Sequence, residues 1–396
     1  MSTFTGVMNE FPGISVDRFD DDNLKSRIFF LSHCHMDHMC GLNNPNGLPG
    51  PLYMSPISAV IIRKQFPQIK EVVVLKGNEP TPIHYDDEDG TTKYVTVTTL
   101  PAFHCPGSVM FLFETNGVKV LYTGDFRLSK RLMLKMKLLK NVTGSLNTIY
   151  IDSTFLSKTY ETFPGQIRSA TTICDIIKEW LGKSSNHVIS LKMPARYGYE
   201  FLFIEIGKRL KLKIHVNEGE MAMYRYIPEL DNIFTTNSRK SQIHACFDWQ
   251  NKNGKQLTCN PELDPSLIRV IKPTAMIWKE WQHSLDIVKK EEHENIRVCY
   301  SNHSSMSEIR DFLIYLQPKN VELNVVPADA LKKQEMLNAV SAMLGNIEST
   351  NSDGSKSHLS EWDNLSKLSK LNFTFSKQPK DANEQFPCPP KRKKNS

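Results

Sequence analysis

Three histidines and an aspartate stand within one hexapeptide, "HCHMDH": His33, His35, Asp37 and His38. Alternate residues of an extended segment point the same way. His33 and His35 can therefore face one ion while Asp37 and His38 curl toward a second beside it. Imidazole and carboxylate donors with hydrolytic chemistry favour Zn²⁺, with Mg²⁺ or Mn²⁺ an option at the second position. A solvated histidine-rich loop is the competing reading, but further donors follow. His104 opens "HCPGS", Asp125 sits in "TGDFR", Asp152 closes "IYID" and His303 closes "RVCYSN". Each stands where an apolar run gives way to small residues. Singly, each reads as an ordinary loop polar residue; together they form a constellation for metal-assisted hydrolysis. A second set comprises His215 in "KIHVNE", His244 and Cys246 in "QIHAC", and Cys259 in "LTCNP". Two histidines and two cysteines suit a closed tetrahedral structural zinc. Their spacing is irregular, so buried core residues are the alternative.

These side chains need strands that end where they stand. "RIFFLS" reads as a buried strand running into the histidine cluster, and "YVTVTTLPA" alternates like a half-buried one. "VMFLFETNGVKVLYTGD" predicts a hairpin turning at Asn116-Gly117. "NTIYIDST" predicts a strand ending at Asp152. The period then changes. "GQIRSATTICDIIKEWLGK" repeats its apolar residues at helical spacing, with Gly182 at its stop. "HVISLKM" reads as strand, "YGYEFLFIEIGKRLK" as helix, "KIHVNE" as strand, "IRVCYSNHSS" as a strand ending in a histidine, and "SEIRDFLIYLQP" as a helix that Pro318 closes. Alternating strand and helix indicates an α/β class.

The net charge is +6, from 49 basic and 43 acidic residues, which suits an anionic partner without selecting one. The opening "MSTFTGVMNEFPG" is polar and acidic, not a secretory signal. No apolar run reaches bilayer-spanning length. Eight scattered cysteines in a chain this long point to a reducing compartment. From about Asn346, Ser, Asn, Asp, Lys and Gln dominate, predicting a disordered tail over 346–396. Its "PPKRKKNS" end reads as a nuclear import signal or as a solvated tail.

"HCHMDH", "HCPGS" and "TGDFR", in that order, resemble the metallo-β-lactamase fold. The added Asp152 and His303 resemble its β-CASP nuclease branch. More narrowly, "ISVDRFD", "LSHCHMDHMCGL", "PAFHCPGSVMFLFE", "YGYEFLF", "QIHAC" and "HSSMSEIRDFL" resemble the Artemis nucleases over roughly residues 1–330. The resemblance implies an αββα sandwich from residues 1–155 and 298–345, with a β-CASP α/β domain, 156–297, inserted. It implies that His33, His35 and His104 hold a first metal, that Asp125 bridges, and that Asp37 and His38 hold a second. RNA-cutting members complete the second site with a later histidine. Val325 stands there in this chain, as in DNA-cutting members, which favours DNA and implies a weaker second site. The resemblance further implies a zinc-finger-like site at His215, His244, Cys246 and Cys259, absent from related cross-link repair nucleases.

Within that frame His303, oriented by Asp152, is the candidate general acid. Asp17 is a candidate orienter of a ligand histidine or a plain turn aspartate. Lys192, Arg196, Lys208 and Arg209 are candidate phosphate contacts, although for the last two, near a helix C-terminus, a solvated helix end is the better reading. Tyr197 and Tyr199 could stack on bases or simply pack. Met36 and Pro194 depart from the family's basic residues, and the tail is short. The implied function is a zinc-dependent DNA endonuclease with 5′→3′ exonuclease activity. It would act in the nucleus on hairpins, overhangs and single-to-double-strand junctions during double-strand break repair by non-homologous end joining. A DNA-dependent protein kinase and end-joining ligase factors are the implied partners, with no membrane. The alternatives are a cross-link repair 5′ exonuclease, an RNA-processing relative, and a catalytically dead DNA-binding scaffold.

Overall fold

The computed structural model describes residues 2–352 apart from 88, 247–255, 283–284 and 292–294. The "PPKRKKNS" end lies outside the described residues. The helix Ala330–Ser352 runs past the point where apolar periodicity fades.

The apolar runs build three sheets. The first has five strands in sequence order: Val7–Met8, Phe11–Val16, Ile28–Leu31, Leu52–Met54 and Val72–Val74. The second runs in the order Asn320–Leu323, Thr148–Ile151, Val118–Tyr122, Val109–Thr115, Thr92–Pro101, Thr81–Asp86. Side-chain alternation shows how these two stack. Ile28 and Phe30 share one core with Phe111, Phe113 and Tyr122 of the second sheet. Phe29 and Leu31 point the other way, onto Ile61 and Ile62 of the helix Pro56–Gln65. On the far side, Met110 and Leu112 meet Phe312 and Leu313 of the helix Met306–Leu316, and Val340 and Met343 of the last helix. The layers are helix, sheet, sheet, helix. Both faces of each sheet are covered, which explains why "RIFFLS" is apolar throughout. The same cover changes the reading of "YVTVTTLPA": Thr98 and Thr99 are buried as well, each 1% exposed. The predicted hairpin turns at Asn116 and Gly117, whose φ values of 41° and 80° are those of a primed two-residue turn.

The third sheet has seven strands in the order Phe234–Thr235, Ile214–His215, Ile243–His244, Val188–Leu191, Ile268–Thr274, Ile296–Cys299, Val288–Lys290. Its pairs are parallel except at the last edge. The helices Gln166–Leu181 and Glu200–Leu210 pack with it. After this unit the chain returns to the sandwich: Asn320–Leu323 pairs parallel with Thr148–Ile151. An α/β unit is thus inserted into an αββα sandwich, as expected.

Candidate active site

The chemistry-bearing side chains sit just past strand C-termini, where an α/β sheet gathers its loops. Ile28–Leu31 delivers Ser32 and His33, Thr92–Pro101 delivers His104, Val118–Tyr122 delivers Asp125, and Thr148–Ile151 delivers Asp152. The loop after Pro101 is shaped by Ser108, whose Oγ accepts the amides of His104 and Cys105 at 3.1 and 3.2 Å. Gly124 has φ +53°, and a Cβ there would meet Ser32 Oγ at 2.6 Å. The loop carrying Asp125 can therefore lie against Ser32 only with glycine at 124.

Four donor atoms converge. His35 Nδ1 lies 3.1 Å from His33 Nε2 and 3.0 Å from His104 Nε2. Asp125 Oδ2 is 3.5 Å from each of His33 Nε2 and His104 Nε2. The other oxygen, Asp125 Oδ1, faces His38 Nε2 at 3.3 Å. Asp37 Oδ2 lies 3.9 Å from that nitrogen and accepts the Ser2 amide at 2.9 Å. One carboxylate thus looks into the three-histidine group with one oxygen and toward His38 with the other. His303 stands alongside, with Nδ1 donating to Asp152 Oδ2 at 2.8 Å. Asp152 also takes the Thr154 hydroxyl and the Phe126 amide.

Burial and charge set the protonation. Burial, with His33 adding, pulls His35 down to about 3. Burial and the neighbouring imidazoles hold His104 well below its ordinary range. Burial pushes Asp125 up, but His38 and His303 overcome this and hold it well below the carboxylate range. Neutral His35 and His104 beside an ionised Asp125 are in the forms that bind a cation, whereas, against burial, Asp125 and Asp17 raise His38 well above its ordinary range. Burial opposes the charge on His303, yet Asp152 and Asp125 raise it to about 9.

The donor set fits a metal. Ligands about 2.0–2.1 Å from a tetrahedral zinc lie roughly 3.4 Å apart, and here His35 Nδ1 and Asp125 Oδ2 each lie 3.0–3.5 Å from His33 Nε2 and His104 Nε2. The tautomers agree. His35 Nε2 donates to the Tyr197 carbonyl (3.1 Å) and His104 Nδ1 to the Asn302 carbonyl (3.0 Å), leaving the other ring nitrogens facing inward. His38 Nδ1 is tied to Asp17 Oδ2 at 2.8 Å, and His38 Nε2 is buried without a hydrogen-bond partner among the described residues. Asp17 is no plain turn residue. Its Oδ1 accepts the Ser32 amide (2.7 Å), and its Oδ2 accepts the Ser32 hydroxyl (2.6 Å), His38 and the Tyr122 hydroxyl (2.9 Å). Ser32, Tyr122, the two carbonyls and Glu200, whose Oε2 holds the Gly198 amide at 2.8 Å, carry no residue-type signal for this role. Gly198 is the one legible trace: φ is +111°, and a Cβ would strike Asn302 Nδ2 at 2.8 Å.

His215, His244, Cys246 and Cys259 form a separate group. His215 Nδ1 is 2.8 Å from Cys246 Sγ, His244 Nδ1 is 3.2 Å from Cys259 Sγ, and the sulfurs are 3.6 Å apart. Two thiolates on a tetrahedral zinc sit about 3.8 Å apart. Each imidazole donates its Nε2 proton to a backbone carbonyl, of Thr236 and Ser241 respectively.

Residues 228–329 match the family described as DNA repair metallo-beta-lactamase. The chain is 38% identical to "Protein artemis" of Homo sapiens over 349 residues, 83% of this chain and 50% of that protein. It is 38% identical to "Protein artemis" of Gallus gallus over 85% of this chain and 49% of that one. The chain belongs to the DNA repair metallo-β-lactamase family. A further member, "5' exonuclease Apollo" of Danio rerio, is 30% identical over 74% of this chain and 48% of that protein. The chain spans about half the length of the curated relatives it matches.

Membership brings metal binding with it, and His33, His35, His104 and Asp125, and separately His215, His244, Cys246 and Cys259, are groups that could hold ions. The other nucleic-acid candidates fare differently. Tyr197 and Tyr199 are buried, 6% and 7% exposed, so their rings pack rather than stack on bases. Arg209 pairs with Glu205 at 2.8 Å, a solvated helix end. Lys208 and Arg196 are exposed. Lys192 lines the same crevice as His244, Cys246 and Cys259. Met36 projects into solvent, 77% exposed, between His35 and Asp37. Val325 offers only its backbone, both polar atoms bonding Ser153 Oγ. No helix among the described residues is long and apolar enough to cross a membrane.

Proposed function

We propose that this chain is a zinc-dependent DNA nuclease of the Artemis type. It would open hairpins and trim overhangs at DNA ends in the nucleus, in double-strand break repair by end joining, with 5′→3′ exonuclease activity. The observation that carries the reading is Asp125, whose two oxygens face two donor sets within reach of the Asp152–His303 pair. His33, His35, His104 and Asp125 would hold the first ion, and Asp37, His38 and Asp125 a second. With three protein donors, and Val325 adding none, the second is the weaker, where Mg²⁺ or Mn²⁺ could substitute. His215, His244, Cys246 and Cys259 would hold a structural zinc. A cation in the catalytic cluster supplies a water acidified to near-neutral pKa and charge to offset the phosphate.

The chain's own groups do the rest. Asp17 fixes His38 with Nε2 inward. Tyr197 and Asn302 do the same for His35 and His104. His303, kept protonated by Asp152, hands a proton to the departing 3′ oxygen. A DNA-dependent protein kinase and ligase factors are the partners this reading implies.

Labelled DNA substrates test it. A closed hairpin, a 3′ overhang and a 5′-phosphorylated single strand are incubated with and without chelator. Hairpin opening that chelator abolishes is expected. Digestion from 5′ ends with the hairpin left closed would move the assignment to the cross-link repair exonucleases. Cleavage that survives full metal removal would end the metal-hydrolase reading.

A further inference from the structure

Asp37 is the open member of the second donor group. It is carried by the single 3₁₀ turn Met36–His38, directly after solvent-exposed Met36. Its side chain is 29% exposed, against 9% for Asp125 and 1% for His38. A carboxylate in such a place must give up rotamer freedom to face an ion, so whatever fixes it bears on how well that ion is held.

The Ser2 amide meets it, donating to Asp37 Oδ2 at 2.9 Å. The same oxygen faces His38 Nε2 at 3.9 Å. A carboxylate oxygen has two acceptor positions, so the amide takes one and leaves the other for a cation. It also favours the ionised form. Burial pushes the Asp37 carboxyl up, yet His38 and the Ser2 amide hold it below its ordinary value.

The segment that carries this amide lies ahead of the first strand, where a chain frays unless it is tied down. Here it is tied. Thr3 N donates to the Asn324 carbonyl at 2.9 Å. The Thr3 hydroxyl donates to the same carbonyl at 3.3 Å and accepts the Val326 amide at 2.8 Å. Between those two residues, Val325 has its backbone N–H and carbonyl on Ser153 Oγ, one residue after Asp152. Phe4, partly buried, completes the seat. Its ring centroid lies 5.3 Å from that of Tyr122 and 5.4 Å from that of Tyr150. Tyr122 in turn gives its hydroxyl to Asp17, which holds His38. Residues 2–4 therefore reach Asp37 directly through Ser2 N, and His38 through Phe4, Tyr122 and Asp17.

We propose that residues 2–4 are a positioning segment for the second ion: Ser2 holds Asp37, and Thr3, clasped by Asn324 and Val326, holds Ser2 in place. The proposal rests on the two-ion reading above. It adds to that site a stretch of chain outside "HCHMDH" and its partner motifs. An ion with three protein donors, and none from Val325, depends most on how firmly each donor is set.

The test is Co²⁺ titration, read in its visible bands, with circular dichroism to confirm folding. Thr3→Val keeps the shape of the side chain and deletes the hydroxyl that joins Asn324 and Val326; Thr3→Ser restores it. Thr3→Val should weaken the second occupancy of the cluster by about 10-fold, the low end for a lost outer partner. The first occupancy and the thiolate bands of the His/Cys group should not move, and Thr3→Ser should bind as the parent does. Phe4→Ala should weaken the same second occupancy. A double-mutant cycle separates positioning from general loosening: once Asp37→Asn is in place, Thr3→Val should cost nothing further. Equal second occupancy in the parent, Thr3→Val and Phe4→Ala would overturn the proposal. So would a loss that persists in full beside Asp37→Asn, or one that falls equally on both cluster positions. A parent chain that takes only one ion in the cluster would overturn the two-ion reading, and the role of the segment with it.

Discussion

Asp17→Asn isolates how much of the site is held by a residue that touches no substrate. Asp17 sits at φ 56°, in the left-handed region that asparagine tolerates as well as aspartate does. The exchange therefore leaves the backbone unstrained and changes only the acceptors. Oδ1 takes one donor, Ser32 N, and Oδ2 takes three: Ser32 Oγ, His38 Nδ1 and Tyr122 Oη. An asparagine must turn its amide toward one side. The cheaper choice puts the NH₂ against Ser32 N, losing one charge-assisted hydrogen bond worth roughly 1.5–3 kcal/mol. The three remaining bonds then fall from charged to neutral acceptors, about half as strong. His38 is no longer held firmly with Nε2 inward, and loss of such a partner typically costs 10–100-fold in metal affinity. The assay is titration with Co²⁺, read in its visible bands. The four-donor set of His33, His35, His104 and Asp125 does not include His38, so its occupancy should change least. The His/Cys group is distinguished by thiolate charge-transfer bands. The second occupancy of the cluster should weaken by 10–100-fold. Unchanged occupancy of both cluster positions in a folded Asp17→Asn would refute the claim that Asp17 sets His38.

Asp152→Asn should slow cleavage by about 10²–10⁴-fold with metal content intact. Because Asp152 raises His303, to about 9 against the pull of burial, the alkaline limb of the pH–rate profile should move to lower pH. A limb that stays put would exclude His303 as the acid. Glu200 is buried, and its Oε1 meets no hydrogen-bond donor among the described residues; burial raises its carboxyl to about 7. A folded-state pKa above the unfolded one costs an acid nothing below 4.5. The cost grows as pH rises from there to about 7 and is then complete at roughly 3 kcal/mol. Glu200→Gln should therefore match the parent in urea melts near pH 4.5 and exceed it at pH 8. A gap independent of pH would contradict this. Cys259→Ser should bind one zinc fewer per chain by elemental analysis and unfold at lower temperature, since site assembly and folding are coupled. An unchanged zinc count would remove the structural site.

The family features were legible because they are written in residue types at short spacing. "HCHMDH" needs only the alternation of an extended segment to bring His33 and His35 together. "RIFFLS", "KVLY" and "IYID" announce strands that end at His33, Asp125 and Asp152. The Asn116-Gly117 turn and the helix closed by Pro318 follow from local rules, although Gln317, in the left-handed conformation, is the residue that ends that helix. Other features depend on what lies across the fold. That Asp125 divides its two oxygens between two donor sets is a matter of tertiary placement, as is the choice for Asp17 between turn residue and hub. His215, His244, Cys246 and Cys259 share no local spacing. They meet because Ile214–His215 and Ile243–His244 are neighbours in one parallel sheet, with His215 in register with His244. Tyr197 and Tyr199 could by sequence stack on bases or pack, and they pack, because the loop that carries them lies against His35 and Asn302. Local sequence thus determined which side chains stand at strand ends. The stacking of three sheets determined which of their atoms face one another, because distances of 3 Å between residues far apart in the chain are set by packing alone.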